Sequence, residues 1–349
     1  MYTRLEVLLE KYDAIFLTSP YNMQYFSGFT GGEGAVWVSK NSKTVLTDSR
    51  YTQQAALEAD DFEVVETSCI LDKVCEYINS ENLKSILFED DFMSTAAYLR
   101  LKNKAGNVTL SAGSNELGRL RMIKTDKELS AMAEAELICS RAFDRILGFI
   151  KPGISEKTLA AELEYYIRQE GGEGFAFDTI AISGERCSLP HGTPSEKLIE
   201  KGDFVTLDFG CRFKGYCSDM TRTVVVGKAS ERQKEIYEIV KEAQQGGLEA
   251  IYAGAEAKAC DFAARSVIEK YGYGKYFGHS LGHGVGILVH ELPNLSPKSE
   301  IVLEENMVVT CEPGIYIPDF GGVRIEDMVC VKKNGNINMT SATKELLEL

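Results

Sequence analysis

Residues 204–210, Phe-Val-Thr-Leu-Asp-Phe-Gly, read as a strand whose apolar run is broken by one carboxylate, Asp208. Aspartate is depleted in strands and is seldom buried unless it is paired or ligating. A second aspartate, Asp219, opens the next strand at 219–226, and the intervening Cys-Arg-Phe-Lys-Gly-Tyr-Cys-Ser suits a hairpin. Such a hairpin sets two carboxylates across from each other, where they repel unless a cation lies between them. The competing reading places Asp208 on an exposed edge strand and Asp219 in a turn, the commoner fate of a single aspartate. A second acidic hairpin weakens it. Glu312 follows the strand Val308-Val309-Thr310-Cys311, and Glu326 shares one face of Val323-Arg324-Ile325-Glu326 with Arg324.

Composition narrows the classes of partner. The 349 residues carry 38 basic and 52 acidic side chains, a net charge of −14, and are 44% hydrophobic. That length suits two domains with ordinary cores. The negative balance repels phosphate backbones and anionic lipid, which argues against nucleic acid and membrane surfaces as partners. No window approaches the roughly 20 uninterrupted apolar residues of a spanning helix, and the amino-terminal residues lack an apolar signal core, so a cytoplasmic location is expected. Nine cysteines, an odd number with no C-x-x-C pair, read as buried reduced thiols.

Along the chain, strands at 14–18, 34–39, 44–47, 62–66 and 84–89 alternate with helices from Arg50, over 71–82 and over 93–104, which makes a small α/β domain. A linker is expected over Ser111–Lys124. Thr125 and Glu128 then fit a capping box for a long helix to about Ile150, and Ser155 caps a second one to Arg168. Strands are expected at 177–183, 204–210, 221–227, 308–317 and 321–331, with helices at about 230–252 and 256–271. A faint repeat aligns Gly153, Lys157, Ile167 and Gly171 with Gly254, Lys258, Ile268 and Gly272, an offset of 101 residues. Chance similarity between amphipathic helices accounts for it almost as well; a true repeat would make two α+β halves facing one another across a site.

All four histidines, His191, His279, His283 and His290, fall within one hundred residues of the same region as the strand-borne carboxylates. A lone histidine is more often structural than a ligand, but here four carboxylates with one or two imidazoles make a hard, oxygen-rich donor set. That set suits a pair of Mn²⁺, Co²⁺ or Fe²⁺ ions better than structural zinc or calcium, and paired cations of this kind serve hydrolysis by activating water and polarising a carbonyl. Rival motifs fail. Gly278-His279-Ser280-Leu281-Gly282 matches a nucleophile elbow, but no histidine follows the first acid after Ser280, which is Glu291. His290-Glu291-Leu292-Pro293-Asn294 lacks the second histidine of a helical zinc site and contains a helix-breaking proline. The glycines at 28, 31, 32 and 34 match neither a dinucleotide fingerprint nor a phosphate loop.

The segments LRMIKTDKELSAM (120–132), LPHGTPSEKLIEKGDFVTLDFG (189–210), GYCSDMTRTVVVG (215–227), FGHSLGHGVGILVHELP (277–293) and MVVTCEPGIYIPDFGGVRIEDMV (307–329) together resemble the pita-bread metallopeptidases, specifically the Xaa-Pro peptidase branch of proline dipeptidase and aminopeptidase P. The resemblance spans nearly the whole chain. It implies an α/β creatinase-like N-terminal domain over 1–122 and an α+β pita-bread (creatinase/aminopeptidase) catalytic domain over 123–349. It also implies a homodimer acting on short proline-containing peptides. By the same resemblance Asp208 holds one of two divalent metal ions, Asp219 and Glu326 bridge both, and His283 with Glu312 complete the second. Mn²⁺ is the expected ion, with Co²⁺, Fe²⁺ or Zn²⁺ as alternatives.

The resemblance further places His191 near the substrate's amino end, His279 in the pocket wall, and His290 on the scissile amide or its oxyanion. Glu312 is implied as proton shuttle, and Arg324, supported by Tyr316, as the arginine separating Xaa-Pro peptidases from methionine aminopeptidases. Ile287-Leu288-Val289 departs from the pattern, since many members are acidic there. Three alternatives stand beside this expectation: a methionine aminopeptidase, metal-free amidinohydrolase chemistry of the creatinase kind, and a metal-free scaffold protein. The full N-terminal domain and Arg324 weigh against the first, and five intact ligand positions against the others.

Overall fold

The computed structural model describes residues 4–349, which divide into two compact units, one up to Leu120 and one from Arg121 onward. In the first unit six strands, β1 (Ala14–Leu17), β2 (Ala35–Ser39), β3 (Lys43–Thr47), β4 (Glu63–Glu66), β5 (Ser85–Phe88) and β6 (Thr109–Ala112), form one sheet in the order β4-β3-β2-β1-β5-β6. The strand β1 is apolar throughout because it is buried on both faces between antiparallel β2 and parallel β5. Helices α1 (Glu6–Leu9), α2 (Pro20–Ser27), α3 (Thr52–Glu58), α4 (Ile70–Ser80), α5 (Thr95–Lys104) and α6 (Ser114–Met122) complete the set. Val74 and Ile78 of α4 and Leu101 of α5 pack on Phe16, Trp37, Leu46 and Ile86 of the sheet. The expected linker at 111–124 is instead the end of β6 followed by α6. Its Ser, Gly and Asn content hides a helix that buries Leu117 and whose first residue, Ser114, is tied by Asp90 and Asp91.

The second unit is built twice over. Helices α7 (Asp126–Ile146) and α8 (Glu156–Gln169) precede strands β7 (Gly174–Phe175), β8 (Ile180–Ser183), β9 (Phe204–Phe209), β10 (Cys211–Phe213), β11 (Tyr216–Cys217) and β12 (Met220–Val225). Helices α9 (Glu231–Ala250) and α10 (Ala257–Lys270) then precede β13 (Gly282–Gly284), β14 (Glu291–Leu295), β15 (Val308–Cys311), β16 (Gly314–Ile317), β17 (Gly321–Arg324), β18 (Asp327–Lys332) and β19 (Gly335–Asn338). The Thr125–Glu128 capping box is present, and Ser155 caps α8 by accepting from the Thr158 amide. The long helix ends at Ile146, four residues short of its expected end.

The 101-residue repeat has a geometric basis. Helices α8 and α10 are both 14 residues long. Gly153 and Gly254 enter them at φ +91° and +101°, and Gly171 and Gly272 leave them at +110° and +83°. These left-handed conformations favour glycine, so the repeat survives where backbone geometry forbids other residues. The segment ahead of each helix makes one bridge, Ser155 to Leu198 in one half and Glu256 to Val302 in the other.

Strand β9 lies between β8 and β12, so Asp208 is on a central strand, not an edge. Val205, Leu207 and Phe209 pack into the cluster formed with α7 and α8, leaving Thr206 and Asp208 on the opposite face. Thr221 stands directly opposite Asp208 in the β9–β12 register. Asp219, one residue before β12 begins, is therefore the diagonal neighbour of Asp208 and not its partner across the ladder. The segments at 308–317 and 321–331 each break into two strands, β15 with β16 and β17 with β18. Glu312 and Glu326 occupy those two breaks.

Between the halves Thr221 bridges Glu326, and Thr223 Oγ1 donates to the Arg324 carbonyl and accepts from its amide. Beneath the bridge Arg222 uses all five of its N–H donors: Nη1 on the Thr221 and Glu326 carbonyls, Nη2 on Asp327 Oδ1 and the Ala342 carbonyl, and Nε on the Thr343 carbonyl. Asp327 also accepts from Gln244, Asn338 and Lys344, and its carboxyl lies below the usual range because Arg222 and Lys344 outweigh its burial. All nine cysteines are free thiols; seven are buried, but Cys69 is exposed and Cys75 half-buried. No helix among the described residues is long and apolar enough to cross a membrane. Replacing Arg222 with methionine takes the donor from four carbonyls and leaves Asp327 to Lys344, Gln244 and Asn338. The second unit is expected to lose about 3–5 kcal/mol, read by urea denaturation.

Candidate metal centre

Every residue singled out in the sequence faces one cavity of about 620 Å³ in the second unit: Asp208, Asp219, His283, Glu312, Glu326, His191, His279, His290 and Arg324. The strands explain the convergence. The cleft face of β9 and β12 is polar, carrying Thr206, Asp208, Thr221 and Thr223, while the alternate face feeds the helical core. From the other half, Glu312 and Glu326 enter at the breaks after β15 and before β18, and His283 from β13. Gly282 and Gly284 flank His283 because a Cβ there would lie 2.1 Å from the Thr310 carbonyl and 2.2 Å from that of Leu292.

Four buried or nearly buried carboxylates share this space. Burial, then the neighbouring Glu326 and Asp208, hold Asp219 far above the usual carboxylate range; burial, Glu312 and Asp208 do the same to Glu326. Glu312 is pushed up to about 8, mainly by burial, with Arg324 pulling the other way. Arg324 is spent on framing the site. Its Nη2 donates to Asp208 Oδ2 at 2.5 Å, Nε to Thr221 Oγ1 at 3.0 Å, and Nη1 to Tyr316 at 2.8 Å and to the Pro190 carbonyl at 3.2 Å. Thr221 in turn donates to Glu326 Oε2 at 2.6 Å.

These donors fit divalent cations. Asp208 Oδ1 is buried with no hydrogen-bond partner, an arrangement proteins avoid unless something else supplies the positive charge. One ligand atom each from Asp219, His283 and Glu326 lie within 4.8 Å of one another. His283 Nδ1 faces the Gly284 carbonyl at 3.2 Å, so the ring proton sits there and the bare Nε2 points at Asp219 Oδ2 and Glu312 Oε1, 3.5 and 3.4 Å away. Burial pushes the His283 pKa down to about 3, so Nε2 presents a lone pair, and a cation seated there takes the place of the protons that Asp219 and Glu312 otherwise hold. A hard cation satisfies all three, and the carbonyl behind the imidazole is the usual partner of a ligating histidine.

The remaining histidines differ in freedom. His279 Nδ1 must donate to the Ser280 carbonyl at 2.8 Å, so Nε2 accepts from the Tyr316 hydroxyl at 2.8 Å. Both nitrogens are engaged, and burial followed by Arg324 lowers the ring to about 4. His191 and His290 are solvent-accessible on the cavity wall, and the His290 ring meets His283 edge-on at 4.2 Å, held below the ordinary histidine range chiefly by lost hydration.

Several contributors are not evident from the sequence. Glu136 lies wholly buried in the apolar stripe of α7, accepting from Thr340 Oγ1 at 2.7 Å and from the Asp219 amide at 3.2 Å. Its position four residues after Met132 on that stripe is the one signal of it. Asp261 and Arg265 of α10 pair at 2.7 Å and hold the histidine-bearing loop through the Leu281 amide and the Phe277 and His279 carbonyls.

A model of metallopeptidase family M24 matches residues 130–333, and one of the creatinase/prolidase N-terminal domain matches residues 6–123. A Xaa-Pro dipeptidase of Pyrococcus furiosus is 40% identical over 352 residues, covering 99% of this chain and 100% of its own. Among solved structures, a Xaa-Pro dipeptidase from Bacillus anthracis superposes with a TM-score of 0.95 at 44% identity, covering 100% of this chain and 99% of that one. An X-Pro aminopeptidase from Thermotoga maritima gives 0.92 at 39% identity, covering 99% and 100%.

Glu136 and Glu312, both raised to about 8, keep their protons in the fold at pH values where the unfolded chain, near 4.5, has lost them. The metal-stripped protein should therefore lose stability as pH rises from about 4.5 through 8. Added Mn²⁺ should raise the melting temperature more at pH 8 than at pH 6, because cation and proton compete for the same oxygens; thermal melts across that range check both.

Proposed function

Because the chain belongs to metallopeptidase family M24, with a creatinase/prolidase N-terminal domain ahead of its pita-bread peptidase domain, we propose that this metallopeptidase hydrolyses Xaa-Pro bonds at the amino end of short peptides. The observation that carries the proposal is the meeting of five ligand-type side chains, three further histidines and Arg324 in one cavity. In this reading Asp208 holds one cation, Asp219 and Glu326 lie between two, and His283 and Glu312 hold the second. Mn²⁺ is the proposed ion, with Co²⁺, Fe²⁺ or Zn²⁺ able to take its place. The cations supply an activated water and polarise the carbonyl that precedes proline.

The chain's own groups do the rest. His191 meets the amino end of the peptide. His290, accessible on the cavity wall and set edge-on against His283, directs a ring N–H at the oxygen that gains charge. The leaving nitrogen of proline carries no hydrogen in the substrate, so it must be protonated by the enzyme. Glu312, a carboxylate on the cavity wall beside the proposed cations, takes that duty. His279 acts through Tyr316: it fixes the hydroxyl that accepts from Arg324, and Arg324 orients Asp208. The proposal extends to a homodimer, and to a cytoplasmic setting in keeping with nine unpaired cysteines.

Protein loaded with Mn²⁺ should release the first residue from Xaa-Pro and Xaa-Pro-Yaa peptides and lose that activity on chelation; metal-loaded protein that cleaves neither sinks the proposal. Asp219→Asn should bind fewer than two cations by elemental analysis while remaining folded. His290→Ala should lower kcat by about 10²–10³-fold with metal content unchanged.

A further inference from the structure

One wall of the cavity is a loop, 184–194, of which Pro190, His191, Gly192, Thr193 and Pro194 line the space. It rises from the end of β8 and returns at Ser195 with only a five-residue 3₁₀ turn, Gly184–Ser188, of its own. Such a segment gains little rigidity from local structure. Cys187 seats the 3₁₀ turn in the core, and both ends of the loop meet at Glu156, the first residue of α8, whose side chain is fully buried. One carboxylate oxygen of Glu156 accepts from the amide and hydroxyl of Ser183 at 2.8 and 3.2 Å; the other accepts from the amide and hydroxyl of Ser195 at 3.0 and 2.7 Å. Arg186, inside the loop, donates from Nε to both oxygens at 3.0 and 3.2 Å and from Nη2 to the Thr193 carbonyl at 2.6 Å. A single carboxylate thus grips both feet of the loop, and its arginine reaches across to the far limb, next but one to His191. The tip is held separately where the Pro190 carbonyl accepts from Arg324.

We propose that the Glu156–Arg186 pair is a positioning device that sets His191 for the amino end of the bound peptide, without taking part in metal binding. This rests on the Xaa-Pro reading for the identity of the peptide. Six hydrogen bonds to one buried carboxylate, two of them from a guanidinium, exceed what closing a turn of this length requires in energy but suit holding one geometry. The neighbouring clamp from Asp261 and Arg265 is less separable, because the Leu281 it holds also accepts the Glu312 amide. Glu156 makes no contact with a proposed ligand.

The test compares Glu156→Gln, with Arg186→Met as a second variant at a more exposed position, against His191→Ala and the double variant Glu156→Gln/His191→Ala. In Mn²⁺-loaded enzyme, either tether variant should raise KM for an Xaa-Pro-Yaa peptide by about 10-fold or more with kcat within about twofold, and metal content should stay at the wild-type value. In the double variant the loss should not exceed that of His191→Ala alone, because both act through one contact. Hydrogen exchange of the amides at 186–194 should quicken in the tether variants and nowhere near the ligands. Additive losses, a fall in kcat with KM unchanged, or unaltered exchange at 186–194 overturns the proposal. Exchange needs no substrate, so absence of Xaa-Pro cleavage by the wild type would remove the peptide reading, while the exchange rates would still decide whether the tether orders the loop.

Discussion

Mutual repulsion among Asp208, Asp219, Glu312 and Glu326 is the constraint to which the second unit is built. Left to themselves, like charges at this spacing would splay the strands that carry them. Two arginines prevent it from opposite sides. Arg324 lies within the cavity wall and draws Asp208 toward Thr221 and Tyr316. Arg222 lies behind the wall and binds the backbone of the residue opposite Asp208 together with that of Glu326, so the bridge between the halves cannot part without breaking a guanidinium free of its acceptors. Neither arginine touches Asp219, whose amide is held from behind by Glu136. The charge is thus confined by backbone anchors, and the carboxylate oxygens stay available to cations.

What can be read in the sequence divides along physical lines. Asp208 is conspicuous because a charge inside an apolar run violates the local pattern, and the alternation of Val205, Leu207 and Phe209 against Thr206 and Asp208 is already written there. Gly282 and Gly284 signal close backbone approach, which they make. The Thr125–Glu128 capping box, the Ser155 cap and the glycines of the 101-residue repeat are legible because they rest on backbone rules that act over a few residues. Glu136, Glu156 and Asp261 are not, since a carboxylate on a helix is ordinary until its partners are known, and those partners stand as far as Thr340, 204 residues on. The linker expected at 111–124 fails for a related reason: α6 is held by Leu117 and by contacts from Asp90 and Asp91, none of which its own composition announces. The hairpin carrying Asp208 and Asp219 is right in kind and off by two residues in register, which changes a face-to-face pair into a diagonal one.

The histidines illustrate how equal residues acquire unequal work. His283 is deprived of water and tautomer choice, and so presents a fixed lone pair. His279 has the same burial but spends both nitrogens on Ser280 and Tyr316, and so transmits position. His191 and His290 keep contact with solvent and retain unspent hydrogen-bonding capacity for a peptide. Burial and the placement of one carbonyl beside Nδ1 separate these roles more than any feature of the ring itself.

The repeated architecture of the second unit has a consequence for symmetry. The first half brings two aspartates to the junction, Asp208 and Asp219, whereas the second brings one histidine and two glutamates, His283, Glu312 and Glu326. Two identical half-length chains meeting at the same seam would offer each group twice, related by symmetry, and every place around the seam would be duplicated. Within one polypeptide the halves are free of that equivalence, so the seam has two unlike ends, one aspartate-bearing and one bearing histidine and glutamates, and a bound chain is read with a direction.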